Sequence, residues 1–258
     1  METVTSKDGT TIAFDRMGEG SPVVLVSGGS TDRMANAPVA ELLATDFMVF
    51  NYDRRGRGPS GDTPPYAVER EVEDIDAVIG AAGGSALLYG TSSGAVLALE
   101  AAASGLSITR LALWEPPFVL DENLRPPQDQ VEQYDKMLAE GRRGDAVEYF
   151  MTKVVGMPPE FVAQARTAPF WPAQEALAHT LRYDAIIMGD YSVPMDRGAS
   201  VTVPTLVMTG GASFPFFRET VEALAKALPQ GKTRTLEGQT HDVAPEVLAP
   251  VLKEFFEA

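Results

Sequence analysis

Cysteine is absent from the 258 residues, which excludes disulfides, a thiolate nucleophile and thiolate metal sites together. With only two histidines beside that absence, a dedicated zinc site is not expected either. Basic residues are scarce next to acidic ones, 21 Lys and Arg against 36 Asp and Glu, for a formal net charge of −15. Such a chain repels nucleic acid and anionic membrane surfaces, so neither is expected as a partner. No apolar run approaches the ~20 residues of a membrane span, and the polar start Met1 to Asp8 lacks the basic and apolar regions of a signal peptide. A soluble, cytoplasmic protein working without a cofactor is the expectation.

What is present reads as an α/β chain with a mostly parallel sheet. At 45% hydrophobic and 22% charged residues, the length suits one domain with room for an inserted subdomain. Two short runs, Glu2 to Thr5 and Thr11 to Phe14, flank the turn-forming Lys7-Asp8-Gly9 and predict a hairpin. Six further strands are expected at Val23–Val26, Phe47–Phe50, Ala86–Tyr89, Leu111–Trp114, Thr205–Met208 and Thr233–Leu236, most of them nearly all apolar, as buried parallel strands are. Between the fourth and fifth strands, Val68, Val72, Ile75 and Ile79 recur at helical spacing and mark one amphipathic face. A last helix is expected from Pro245 to Phe256. Residues 116–204 break this alternation. They contain no convincing strand but several helical segments, with Val131, Tyr134 and Leu138 on one face and an Asp145-x-x-Glu148 capping signal. We read 1–115 and 205–258 as the core and 116–204 as a helical cap, whose Phe150, Met151, Trp171, Tyr183, Met188 and Tyr191 are candidates to line an apolar pocket.

The most informative stretch is Gly90-Thr91-Ser92-Ser93-Gly94, which joins the apolar run ending at Tyr89 to the alanine-rich helical run from Ala95 to Ala103. At a strand-to-helix junction this spacing is a nucleophile elbow, in which a sharp turn lifts the Ser92 hydroxyl clear of the sheet edge. The hydroxyl needs a base. His241 follows the last strand and precedes the last helix, which sets it at the same sheet edge and suits the chain order nucleophile, acid, histidine. His179, mid-cap, is assigned to packing or surface. Glu115 ends the apolar strand Leu111–Trp114, where a charge needs a partner, and it is the candidate acid that orients His241. The N–H of Ser93, next to the nucleophile, is one candidate oxyanion donor. The loop Asp53-Arg54-Arg55-Gly56-Arg57-Gly58 lacks the spacing of a phosphate loop and is assigned a structural role.

From Val23 to the C-terminus these residues resemble the α/β-hydrolase fold. Most members of that fold carry the acid after the seventh strand, but here the loop from Thr209 to Pro215 contains none, and the resemblance implies the alternative place occupied by Glu115. It also implies a second oxyanion donor in Ser27-Gly28-Gly29-Ser30, at Gly29. Four local signatures are similar to the zearalenone lactone hydrolases: Gly90 to Ala95, Trp114-Glu115-Pro116-Pro117, Pro169-Phe170-Trp171, and His241. The implied activity is a cofactor-free serine hydrolase cleaving an ester or lactone with an apolar body, with Trp171, Tyr183 and Phe214 contacting it. A cofactor-free lyase or cyclase is the alternative on the same fold, and a silent binding protein a third reading.

Overall fold

The computed structural model describes all 258 residues. Its strands are β1 (Glu2–Thr5), β2 (Thr11–Met17), β3 (Ser21–Val26), β4 (Phe47–Tyr52), β5 (Ala86–Thr91), β6 (Ile108–Trp114), β7 (Thr205–Gly210) and β8 (Gly231–Leu236). They form one sheet in the order β1-β2-β4-β3-β5-β6-β7-β8. The first two pair antiparallel, Val4 opposite Ile12, with Gly9 at φ +90 closing the turn. The strands from β3 onward run parallel. β2 and β4 extend beyond the apolar runs to Met17 and Tyr52 because they pair with each other, Phe14 opposite Tyr52 and Met17 opposite Val49. The polar Asp15 and Asn51, which interrupt the hydrophobic pattern, are cross-strand partners in that ladder.

The period of two sorts the apolar side chains onto two faces. Val24, Val26, Leu88, Leu111, Leu113 and Val207 face one side, and Val23, Leu25, Leu87, Tyr89, Ala112 and Met208 the other. The second face is covered by α1 (Ala37–Leu43) and by the last helix, the first by α2 (Val68–Ala81) and α3 (Ser93–Ala103). Ile75 and Ile79 of the α2 stripe are fully buried there, with Val68 and Val72 partly buried beside them. Burying apolar surface at roughly 25 cal/mol per Å² makes this two-sided core the main source of stability.

Between β6 and β7 lie only helices: α4 (Gln130–Ala139), α5 (Arg143–Tyr149), a π-helical turn at Phe150–Val154, α6 (Pro159–Ala165), α7 (Trp171–Leu177), α8 (Thr180–Met188) and α9 (Met195–Ser200). They gather a small apolar cluster of their own around Tyr134, Met137, Val147, Val162, Trp171 and Leu181. The Asp145-x-x-Glu148 signal does not cap a helix. α5 starts at Arg143 with no side-chain cap, and both acids instead receive guanidinium groups, Asp145 from Arg142 and Arg166, and Glu148 from Arg166. The chain then completes the sheet with β7 and β8, followed respectively by α10 (Pro215–Ala227) and α11 (Pro245–Glu257). No helix is long and apolar enough to cross a membrane.

Candidate active site

Ser92 stands between β5 and α3 at φ 55 and ψ −127, a backbone conformation that L-residues adopt only under constraint. Its N–H donates to Trp114 O at 2.9 Å, continuing the β5–β6 ladder, and its carbonyl accepts from Ala95 N at 2.9 Å, beginning the helix. The turn leaves no room at its flanking glycines. A Cβ at Gly94 would press into the carbonyl oxygens of Val26 and Ser27, and one at Gly90 would lie 2.8 Å from Ala95 Cα. Gly94 therefore lets the elbow fit against the end of β3, and Gly90 lets the start of α3 fold back over the end of β5.

Glu115 also lies in the left-handed region, at φ 41, one residue beyond β6. It is completely buried. Its Oε1 accepts from Thr209 Oγ1 at 2.8 Å and from Gly210 N at 2.7 Å, and its Oε2 lies 2.8 Å from His241 Nδ1. Burial pushes the Glu115 carboxyl upward, but these hydrogen bonds, His241 foremost, outweigh it and hold the group below its ordinary value. It is ionised at neutral pH. The preceding residue grips the same histidine by its backbone, Trp114 Nε1 donating to His241 O at 2.9 Å. Phe217 stacks on the imidazole at 5.2 Å between centroids and 16° between planes. Glu115 thus sits behind His241, whose Nδ1 is engaged and whose Nε2 makes no hydrogen bond within the protein.

Ser92 and His241 both line one large cavity, about 790 Å³ in volume. Gly28 and Gly29 border it at the elbow, and a Cβ on Gly28 would lie 3.1 Å from Ser92 Cβ. The N–H groups of Gly29 and Ser93 have no acceptor within the protein. The wall opposite is supplied by the helical segment, including Tyr134, Phe150, Leu181, Met188 and Tyr191, and by Phe214, Phe216 and Phe217 at the start of α10.

Of the three expected substrate-contacting residues, only Phe214 borders this cavity. Trp171 is buried in the cluster of the helical segment, its Nε1 donating to Glu175 Oε1 at 2.8 Å and its ring covered by the Arg166 guanidinium 5.6 Å away. Tyr183 turns outward from α8, stacks on Tyr66 at 3.9 Å and donates its hydroxyl to Asp62 Oδ2 at 2.7 Å. Met151 likewise stays off the wall. His179 packs between Arg143, 3.1 Å from its Nδ1, and Asp62, and does not border the cavity; burial and then the nearby Arg143 charge lower its pKa.

Two features of the site were not apparent beforehand. One is Phe217 against the imidazole. The other is Asp184, on the α8 stripe Leu181, Asp184, Ala185 and Met188, all of which line the cavity. A lone acid at i+3 on an apolar helical face was the available signal. Its carboxylate takes Arg54 Nη1 at 2.9 Å, Arg57 Nη2 at 2.8 Å and the Ser93 hydroxyl at 2.8 Å. Burial raises Asp184, yet Arg57, Arg54 and the Ser93 hydroxyl overcome this and lower it. Glu71 pairs with Arg54 through both oxygens, at 2.7 and 2.8 Å. The adjacent Arg55 is buried on Asp74 and Asp8. All three arginines of the loop after β4 are therefore engaged by carboxylates.

The chain is similar along its whole length to a solved alpha/beta hydrolase from Sphaerobacter thermophilus, at 58% identity and a TM-score of 0.93, over 99% of this chain and 100% of that one. An uncharacterized hydrolase of Bacillus subtilis, YraK, is 25% identical over 198 residues, 72% of this chain and 73% of its own. The N-formylmaleamate deformylase of Pseudomonas putida is 38% identical over 104 residues, 39% of each chain. A model of the alpha/beta hydrolase family matches residues 23–251. That match runs from β3, where the parallel sheet begins, into α11, and so takes in the elbow, both halves of the sheet and the helices between them: the chain belongs to the alpha/beta hydrolase family.

Proposed function

We propose that this hydrolase is a serine enzyme working through an acyl intermediate on an ester or lactone with an apolar body. The observation that carries the reading is the Glu115–His241 pair at 2.8 Å, backing a cavity that also exposes the elbow serine. His241 Nε2 takes the proton of Ser92 as Oγ bonds to the acyl carbon. The negative charge that develops on the carbonyl oxygen is received by the Gly29 and Ser93 amides. His241 then returns the proton to the leaving alkoxide, and the acyl group remains on Ser92. In the second half, His241 removes a proton from water, hydroxide adds to the acyl carbon, and the carboxylic acid leaves as Ser92 recovers its proton. Glu115 keeps Nδ1 protonated throughout and balances the imidazolium.

Residues 116–204 act in this reading as a cap that shapes the acyl or alcohol pocket. A macrolactone is the narrower form, resting on the likeness to the zearalenone lactone hydrolases at Ser92, Glu115 and His241. The tryptophan contact of that family has no counterpart at Trp171, which is buried elsewhere, so a smaller apolar ester or lactone is the better supported substrate. The test is a fluorophosphonate probe read by intact mass and peptide mapping, run beside a panel of p-nitrophenyl esters, lactones and, given the partial likeness to a deformylase, N-formyl amides. Single labelling at Ser92 with turnover in the panel is expected. An enzyme that turns over the panel unlabelled would overturn the acyl-enzyme mechanism, and one neither labelled nor active in the panel would favour a cofactor-free lyase or cyclase.

A further inference from the structure

We propose that Asp184, contributed by the inserted helical segment, is a positioning residue that aims the two amide donors at the developing oxyanion. The proposal rests on the serine hydrolase reading above. It begins with the loop that carries Gly29. Arg57 Nη1 donates to the carbonyls of Gly28 and, at 3.0 Å, Thr31, while Arg54 Nη1 reaches Ser27 O at 3.4 Å. In a trans peptide the carbonyl and the next N–H point to opposite sides. By holding Gly28 O, Arg57 therefore turns the Gly29 N–H away from itself. The arginine is in turn held by Asp184, Nη2 lying 2.8 Å from Oδ1 and 2.9 Å from Oδ2.

The second donor is fixed by the same carboxylate. Ser93 Oγ donates to Asp184 Oδ1 at 2.8 Å, which pins the first residue of α3, whose own N–H is the donor. The Gly29 backbone also abuts this group, since a Cβ there would lie 3.2 Å from Asp184 Oδ2. Gly29 and Ser93 come from different strand ends, β3 and β5, and share no hydrogen bond of their own. Arg54 Nη1 also reaches Ser93 Oγ, at 3.2 Å, as well as Ser27 O, but only Asp184 binds Arg57, the guanidinium on Gly28 O, together with Arg54 and the Ser93 hydroxyl, and so joins the supports of both donors.

The charges require it as well. Arg54, Arg57, Glu71 and Asp184 form a buried set with two charges of each sign. Of the two arginines Glu71 binds only Arg54, its Oε1 also accepting the Tyr66 hydroxyl, so removal of Asp184 leaves Arg57 buried beside a like charge with no carboxylate. Arg57 is then driven to turn toward water or another acceptor, and its hold on Gly28 O goes with it.

The experiment compares wild type with Asp184→Asn, which keeps the shape but removes the charge, and with Ser93→Ala, a small, helix-compatible change that deletes the hydroxyl's bond to Asp184 Oδ1 and the one it accepts from Arg54 Nη1. Steady-state kcat and KM on a p-nitrophenyl ester are measured with the affinity for a trifluoromethyl ketone, which forms a hemiketal oxyanion, and for the matching methyl ketone. Asp184→Asn is expected to lower kcat ~10- to 100-fold, somewhat below the ~10²- to 10³-fold cost of deleting a donor outright. Trifluoromethyl ketone affinity should fall in parallel, while KM and methyl ketone affinity stay within about twofold. Ser93→Ala should follow the same pattern at about threefold. A folded Asp184→Asn enzyme with unchanged kcat and ketone affinities overturns the proposal. If that variant does not fold, Ser93→Ala decides: the parallel loss supports the proposal, and wild-type behaviour overturns it. Fluorophosphonate labelling of wild-type Ser92 separates the two readings, since labelling without an Asp184 effect sinks this proposal alone, and absence of labelling sinks both.

Discussion

Replacing Glu115 by Gln tests the proposed acid with almost no change in shape, and the hydrogen bonds around it decide what the amide must do. Oε1 is held by two donors, Thr209 Oγ1 at 2.8 Å and the Gly210 N–H at 2.7 Å. The backbone N–H cannot turn, so the glutamine must place its carbonyl oxygen there and its NH₂ toward His241, where Oε2 now lies 2.8 Å from Nδ1. An NH₂ facing Nδ1 is satisfied only if Nδ1 accepts. That moves the histidine proton to Nε2 and removes the lone pair needed to deprotonate Ser92. A wrong tautomer together with loss of the charge opposite the imidazolium costs up to ~10⁴-fold in comparable triads, so kcat should fall by ~10²- to 10⁴-fold, or about 3 to 5.5 kcal/mol of transition-state stabilisation. Because the substitution also removes a buried charge, stability should change by about 1 kcal/mol or less, a Tm shift within about 4 °C. Initial rates on a p-nitrophenyl ester, the rate of fluorophosphonate labelling at Ser92 and a thermal melt suffice. A folded Glu115→Gln enzyme with kcat within about threefold of wild type would refute the tautomer argument and turn attention to Glu237 or Asp242.

Ser92→Ala and His241→Ala should each abolish turnover, by up to ~10⁶-fold, in proteins whose circular dichroism is unchanged. Equal loss in Ser93→Ala would instead place the nucleophile one residue on. Trp171→Ala opens the buried cluster of the helical segment and should destabilise by ~3–5 kcal/mol while leaving the preference between a bulky and a short ester unaltered. Phe214→Ala, at a residue 62% exposed that borders the cavity, should do the reverse, raising KM for the bulky ester selectively with little change in Tm. The Glu115 carboxyl is held low in the fold, so its contribution to stability is present above the ordinary glutamate range and lost as pH falls through its lower folded value. The wild-type advantage in Tm over Glu115→Gln should therefore shrink on acidification below about pH 4.5, and a gap that widens would contradict the sign.

Much of the sheet was legible because burial on both faces leaves a plain record, apolar runs such as Val23 to Val26 and Thr205 to Met208 with little polar interruption. Strand ends were less so, since Asp15 and Asn51 belong to a ladder that only pairing reveals. At the site, the Gly90 to Gly94 spacing and the charge that ends β6 could be read locally, and the fold brings Glu115 to His241 across 126 residues. The helical segment was another matter. Trp171 and Tyr183 are aromatic residues on helices near the cavity, but the direction each faces depends on how α7 and α8 pack, and one turns into a private cluster while the other lies on Tyr66. Asp184 carried a readable signal, an acid on the stripe of Leu181, Ala185 and Met188. Asp145 misled because a carboxylate near a helix start serves an ion pair as readily as a cap, and Arg166 lies within reach.

Trp114 and Glu115 are consecutive residues, and between them they hold both the carbonyl and the imidazole of His241. In the proposed mechanism one strand end thereby takes over a duty that the resemblance assigns to a neighbouring loop in most relatives. The loop from Thr209 to Pro215 is released from it and delivers Phe214 to the cavity wall instead. Laboratory evolution of substrate range can therefore be aimed at 214–216, with 209–213 kept, as a stretch where new side chains reshape what the enzyme accepts while the groups of the proposed proton relay remain anchored one strand away.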